Sequence, residues 1–185
     1  MGTAVEIPKH AETAGPLRLH IGGHQAKPGW KIFNIRPGKS VDFVGNCTDL
    51  SQFANGAAES VYASHVIEHL GHRHELPAAL AEIRRVLRPG GNLYISVPDL
   101  EFLCGLFLRP NVPVDAKIRI VTMIFGMQAN EHDYHKFAFS LDMMAMYLAQ
   151  AGFSKITRVH DFGLFEDYSK LEVEGKRISL NLIVE

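Results

Sequence analysis

The sequence predicts a single α/β domain on a seven-stranded, mainly parallel sheet. Short β-like runs alternate along the chain with segments of helical period, the arrangement that gives parallel strands joined through crossovers. One helix runs through Arg88-Pro89-Gly90-Gly91 directly into a strand. The 185 residues suit one continuous core.

The first sixteen residues contain two prolines and no period, and predict a loose arm ending at Gly15-Pro16. The domain then covers residues 17–185. Strands are expected at Leu17–Ile21, Lys31–Ile35, Val41–Val44, Ser60–Ala63, Asn92–Val97, Lys155–Val159 and Ile178–Val184. Leu76, Leu80, Ile83 and Leu87 share one face of a helix over Glu75–Leu87. Pro89 cannot continue that helix, and Gly90-Gly91 permit a tight reversal into the next strand. A second helix is expected from Ser140 as N-cap to Gly152 as stop. Between them, Asp99–Phe139 carries helical patches at Leu100–Leu108 and Asp115–Phe125. It follows a strand's C-terminal end, the edge where open α/β sheets bind ligands, and is predicted to be a lid or substrate wall.

Composition narrows the function. Hydrophobic residues make up 46% and charged residues 21%, proportions that exclude a disordered or collagen-like chain. A net charge of -1 gives no global positive field for a nucleic-acid backbone or an anionic membrane. The most apolar stretch, Val121–Ala129, is far short of the roughly 20 residues of a membrane span. Lys9, His10 and Glu12 stand where a signal peptide needs an apolar run, so a cytoplasmic protein is expected. Cys47 and Cys104 are too few for a disulfide framework and are expected as thiols. The unusual count is ten histidines.

Leu17-Arg18-Leu19-His20-Ile21-Gly22-Gly23, then Tyr62-Ala63-Ser64-His65-Val66-Ile67-Glu68-His69-Leu70, then Val86-Leu87-Arg88-Pro89-Gly90-Gly91 and Val97-Pro98-Asp99 resemble, in order and spacing, a class I S-adenosylmethionine-dependent methyltransferase. The resemblance is to its small members, whose first glycine loop runs almost directly into a Pro-Gly-Trp segment, here Lys27-Pro28-Gly29-Trp30. It implies a Rossmann-like sheet, parallel except for one strand, with helices on both faces and S-adenosylmethionine across the C-terminal ends of the first strands. By position, His20 precedes the glycine turn, Gly22 and Gly23 hold the methionine carboxylate, Asn34 meets the ribose hydroxyls, and Asp49 contacts the adenine amino group. Ser64 and His65 would lie beneath the sulfonium and its methyl.

Three positions depart from the family pattern. His20 replaces an acidic or amide residue, His24 the last glycine of the turn, and Asn34 the ribose carboxylate. A histidine where the turn needs φ > 0 costs roughly 1–2 kcal/mol. An amide in place of the carboxylate loses about 1 kcal/mol of charge assistance, so Asn34→Asp is expected on this reading to tighten the cofactor roughly fivefold. The departures also motivate an alternative, a degenerate methyltransferase fold serving as a binding or regulatory module.

His65-Val66-Ile67-Glu68-His69 is literally HxxEH, the inverted zinc-protease signature. A strand ending at Ala63 or Ser64 would put His65 at a strand-helix junction and not inside a long helix, which argues against a protease. Some methyltransferases that act on catechol-like or ribose hydroxyls bind a divalent metal through a similar motif at this place. His65, Glu68 and His69 are the candidates, with His132 and His135 as further ligands from the lid. The packing reading, in which Glu68 and His69 cap and fill the following helix, is preferred here. His72 and His74 read as a solvated turn, Arg84, Arg85 and Arg88 as partners of a helix dipole, and Met143, Met144 and Met146 as packing. If the acceptor is a hydroxyl of a small molecule or sugar, its proton goes to His65, His135 or Asp99, the last of which reads equally as the N-cap of the Leu100 helix.

Overall fold

Alternation along the strands sorts the sheet into two unlike faces. A computed structural model describes residues 15–185. Residues 1–14, most of the expected arm, lie outside the described residues. β1 (Leu17–Ile21), β2 (Lys31–Asn34), β3 (Phe43–Val44), β4 (Ala58–Ser64), β5 (Leu87–Pro98), β6 (Ile156–Arg158) and β9 (Ser179–Val184) form one seven-stranded sheet in the order β3-β2-β1-β4-β5-β9-β6. All seven expected strands are in it, including the parallel pair β1 and β4. β9 alone runs antiparallel, to both β5 and β6.

Leu19, Ile21, Val61, Ala63, Leu93, Ile95, Leu180 and Leu182 point to one face. Against it pack Leu76, Leu80 and Ile83 of α1 (Glu75–Val86) and Met144 and Leu148 of α4 (Leu141–Gln150). The opposite face carries His20, Tyr62, Tyr94, Ser96 and Asn181. There the cover is built from loops and aromatic side chains. The connections from β1 to β2, β2 to β3 and β3 to β4 contain only turns, too short for the helices that usually cover this side of a parallel sheet. Aromatic side chains take over the burial: Trp30 and Phe165 pack on Tyr62, with Phe162 and Leu164 beside them. Polar bonds pin the covering loop. Tyr62 donates to Asp167 Oδ2 at 2.7 Å, and the Asn181 amide donates to the carbonyls of His160 and Ser169 at 2.8 and 2.9 Å.

The Pro-Gly-Gly block is not a free turn. β5 begins at Leu87, straight out of α1, and the register between Ala58/Leu87 and Ser60/Asn92 shifts by a bulge that absorbs the extra residues. Gly91 is needed there because a methyl would stand 2.9 Å from the Glu59 carbonyl. The nearby arginines do more than face a dipole. Arg85 holds Glu82 and the carbonyls of Leu50 and Phe53, and Arg88 pairs with Glu59 at 2.6 Å.

The predicted lid contains α2 (Leu100–Phe107) and α3 (Val114–Phe125). Leu103, Leu106 and Ile120 pack together on Ile178 as a satellite of the main core. Asp99 caps α2 by accepting from Phe102 N at 3.1 Å. Ser140 precedes α4 as expected, but its hydroxyl bonds Asp142 instead of capping the helix. The hairpin of β7 (Glu172–Val173) and β8 (Lys176–Arg177) was not expected; both residues of its loop, Glu174 and Gly175, have positive φ, and an X-Gly pair between short strands is its only local signal. Among the described residues no helix is long and apolar enough to cross a membrane.

Candidate functional site

The ends of β1 and β2 are bonded to each other. Gly22 has φ +75°, and its N–H donates to the Phe33 carbonyl at 2.8 Å. Asn34 is buried, donating from Nδ2 to the Gly23 carbonyl at 3.0 Å and accepting at Oδ1 from Arg36 N at 3.0 Å. The candidate ribose contact thus stands at the C-terminal sheet edge beside the glycine turn, with both ends of its amide already engaged. His24 is exposed and is not in the left-handed region. The strained histidine is instead His65, at φ +53° just past β4.

Asp49 is not brought to this edge. It sits on an exposed turn where its carboxylate accepts from Ser51 N at 2.9 Å. The adjacent Leu50 is tied to Glu82 and Arg85, in the half of α1 that leads to the opposite edge. The residue β3 does carry to the C-terminal edge is Asn46, next to Gly45, whose N–H donates to the Asn34 carbonyl at 3.0 Å. Its nearness to the strand end was the signal available in the sequence.

His20 is buried under the turn, its ring centroid 4.1 Å from that of Phe165 and 4.9 Å from that of Tyr62. Burial lowers its pKa to about 4; Asp167 opposes the shift and His24 adds to it. The group is therefore neutral when folded at pH 7 and gains a proton on unfolding as pH falls below about 6.5. Because the folded pKa is depressed, His20 supports the fold fully above about pH 6.5, and that support falls by about 1.4 kcal/mol per pH unit between there and about 4. Urea unfolding at pH 7 and pH 5 should show this slope in the parent and its absence in His20→Phe; equal slopes would remove His20 as the cause.

The second half of the site follows β4. Glu68 is fully buried, and Nδ1 of His65 lies 3.2 Å from its Oε1. Neither oxygen of Glu68 meets a donor in hydrogen-bond geometry. Burial pushes the Glu68 carboxyl up, but the imidazoles of His65, His69 and His135 together outweigh it and hold the group below the ordinary range. His65 Nε2 bonds Ser179 Oγ at 2.9 Å. His69 Nδ1 bonds the Tyr134 carbonyl at 3.1 Å, and His135 Nδ1 bonds the Ile124 carbonyl at 3.1 Å. Lys136 N and Phe137 N both donate to the Glu68 carbonyl, at 2.8 and 3.2 Å. The segment after α3 therefore returns to the turn that follows β4. It is not a detachable flap, since Phe139 at its end is fully buried in the main core.

This geometry re-sorts the candidates. Ligand atoms of Glu68, His69 and His135 lie within 4.8 Å of one another, so His135 takes the place expected of His65. His132 is exposed beside Glu131. Residues 67–69 form a single 3-10 turn, so the HxxEH pair does not share a long helix. Asp99 is engaged both as the cap of α2 and as partner of Arg158 at 2.6 Å. Four buried side-chain atoms have no hydrogen-bond partner among the described residues: His20 Nδ1, Ser64 Oγ and both oxygens of Glu68. All belong to β1, β4 or the turn after β4.

A family model described as a methyltransferase domain matches residues 27–95. No curated protein matches the chain in sequence. Among solved structures, a SAM dependent methyltransferase from Archaeoglobus fulgidus aligns at a TM-score of 0.57 and 12% identity, covering 92% of this chain and 86% of that one. The CurJ carbon methyltransferase aligns at 0.56 and 17%, covering 95% of this chain and 50% of that chain. The trans-methyltransferase CalH, in complex with SAH, aligns at 0.54 and 17%, covering 90% and 50%. The chain thus spans about half the length of the last two. At such identities the likeness is one of fold. Sheet order, reversed strand and matched segment agree: this chain has the fold of the class I S-adenosylmethionine-dependent methyltransferases and matches a methyltransferase-domain family model over residues 27–95.

Proposed function

We propose that the protein transfers the methyl group of S-adenosylmethionine to a hydroxyl of a small molecule or sugar held under the lid. The observation that carries this reading is the grouping of unpartnered buried polar atoms, His20 Nδ1, Ser64 Oγ and the Glu68 carboxylate, on β1, β4 and the turn after β4. Folded proteins leave few such atoms unpaired, and ligands complete many that remain. The cofactor lies across Gly22, Gly23, Asn34 and Asn46, with its methyl toward Ser64 and His65. In the transfer, the acceptor oxygen attacks the methyl carbon in line as the carbon–sulfur bond breaks, so the protein's task is alignment and exclusion of water. The lid return at Tyr134–Phe137 supplies the closure.

His65 is the general base in this reading. In the tautomer with its proton on Nδ1, facing Glu68, the ring keeps an Nε2 lone pair 2.9 Å from Ser179 Oγ, whose own hydrogen goes to the Tyr168 carbonyl. An acceptor hydroxyl displacing Ser179 gives its proton to the same nitrogen. A second reading, a cofactor-binding module without transfer, draws support from the internal bonds of Gly22 N–H and the Asn34 amide, which leave no charged group for the ribose. Calorimetry with S-adenosylmethionine and with SAH, followed by mass spectrometry of candidate hydroxyl acceptors, separates them. Binding of both with methylated product is the expected result. Binding without product across acceptors would favour the module, and binding of neither would overturn the cofactor assignment.

A further inference from the structure

Glu68 is a buried carboxylate to which its protein neighbours bring imidazoles but no well-formed hydrogen bond. Its carboxylate is wholly removed from solvent, yet neither oxygen accepts a well-formed hydrogen bond among the described residues. A buried ionised carboxylate needs a counter-charge or a full set of donors. Two imidazoles beside it are prepared in a particular way. Nδ1 of His69 is held by the Tyr134 carbonyl and Nδ1 of His135 by the Ile124 carbonyl. A carbonyl can only accept, so each Nδ1 carries the hydrogen and each Nε2 keeps its lone pair. The two rings meet edge to face with centroids 4.7 Å apart. This orientation of an imidazole by a backbone carbonyl is the usual support for a metal-binding histidine.

We propose that Glu68, His69 and His135 bind one divalent transition-metal ion. Their ligand atoms lie within 4.8 Å of one another, and bonds of about 2.0–2.2 Å to a common tetrahedral centre set such atoms about 3.4 Å apart, so the side chains close by up to about 1.4 Å on the ion. Two nitrogen donors and one carboxylate select ions of the zinc, cobalt, iron(II) and manganese class over magnesium or calcium, which favour oxygen ligands. The ion supplies the charge Glu68 lacks. It also joins the turn after β4 to the returning lid, because His135 belongs to the lid and His69 to the turn. His65 stays outside the ligand set and bridges Glu68 Oε1 to Ser179. Three protein ligands leave a coordination position open, and that position would take the acceptor oxygen, a clause that rests on the methyl-transfer reading above; the metal site itself does not.

The test uses the full chain without a histidine tag, stripped by chelator and dialysed. Cobalt(II) is titrated while its visible absorption is followed, and zinc binding is measured by calorimetry. One equivalent per chain is expected, with binding weakened at least about tenfold in His69→Gln and in His135→Gln and unchanged in His132→Gln. Glu68→Gln should also lose binding; if it fails to fold by circular dichroism, the two histidine variants still decide. A parent protein that takes up neither ion would overturn the site. So would uptake that survives both His69→Gln and His135→Gln, or uptake that His132→Gln reduces equally. Cofactor calorimetry on the stripped protein reads the methyl-transfer proposal separately, so either proposal can fail alone.

Discussion

Gly22→Ala is expected to lower stability by roughly 2–5 kcal/mol and to abolish cofactor binding. Two separate costs add. At φ +75° an alanine pays about 1–2 kcal/mol for the left-handed backbone. Its methyl would also stand 2.4 Å from Cγ2 of Val66, an overlap that costs a further 1–3 kcal/mol, roughly, because a valine is stiff at χ1 and follows the strained His65 directly. The turn cannot shift to relieve this without breaking the bond from Gly22 N to the Phe33 carbonyl. Urea unfolding of Gly22→Ala, Val66→Ala and the double variant separates the terms: the double variant should recover the overlap but not the backbone cost. A Gly22→Ala protein as stable as the parent, or one that binds S-adenosylmethionine equally well, would contradict this account.

Asn34→Asp is expected to weaken both fold and cofactor binding, the reverse of the tightening that the sequence alone suggests. The family pattern makes an aspartate at this position look like a restored ribose contact. In the structure the Asn34 Nδ2 donates to the Gly23 carbonyl. An ionised aspartate would set an acceptor against an acceptor at a buried position, losing the bond and leaving a charge poorly solvated, a cost of about 2–3 kcal/mol. Asn34→Ala loses the bond without adding the repulsion and should cost less. The expected order of stability in urea is parent, then Asn34→Ala, then Asn34→Asp, with S-adenosylmethionine affinity in the same order. Tighter binding in Asn34→Asp would restore the carboxylate reading and show that the Gly23 bond is dispensable.

The strands and helices were legible because their causes are local. β1 follows from the alternation of Leu19 and Ile21 with His20, and α1 from the spacing of Leu76, Leu80 and Ile83. The α2 cap by Asp99 follows from a carboxylate three residues before an orphan N–H. The β7–β8 hairpin escaped notice because its strands are two residues each, too short to show a period. The course of the loop that carries Asp49 was not legible for a related reason: it has no period, and its path along α1 is set by Glu82 and Arg85, thirty residues and more away.

By itself the sequence determined the seven strands, the helical insertion after β5, and the fold they build. It also identified the individual histidines and Glu68 as the chemistry-bearing residues of the edge. Only the tertiary structure decided how they combine. Asp99 pairs with Phe139 in an isolated bridge, and this return of the lid swings His135 onto His69 and Glu68 while leaving His132 at the surface. The same return leaves His65 to bond Ser179, a residue 114 positions away. The short crossovers expose a sheet face that the aromatic loop must cover, so His20 becomes a buried neutral group beneath the glycine turn. Periodicity reports which side of an element is apolar. It carries no information about which distant segment will arrive there, because that depends on where the whole chain can bury its remaining apolar surface while bonding its backbone groups.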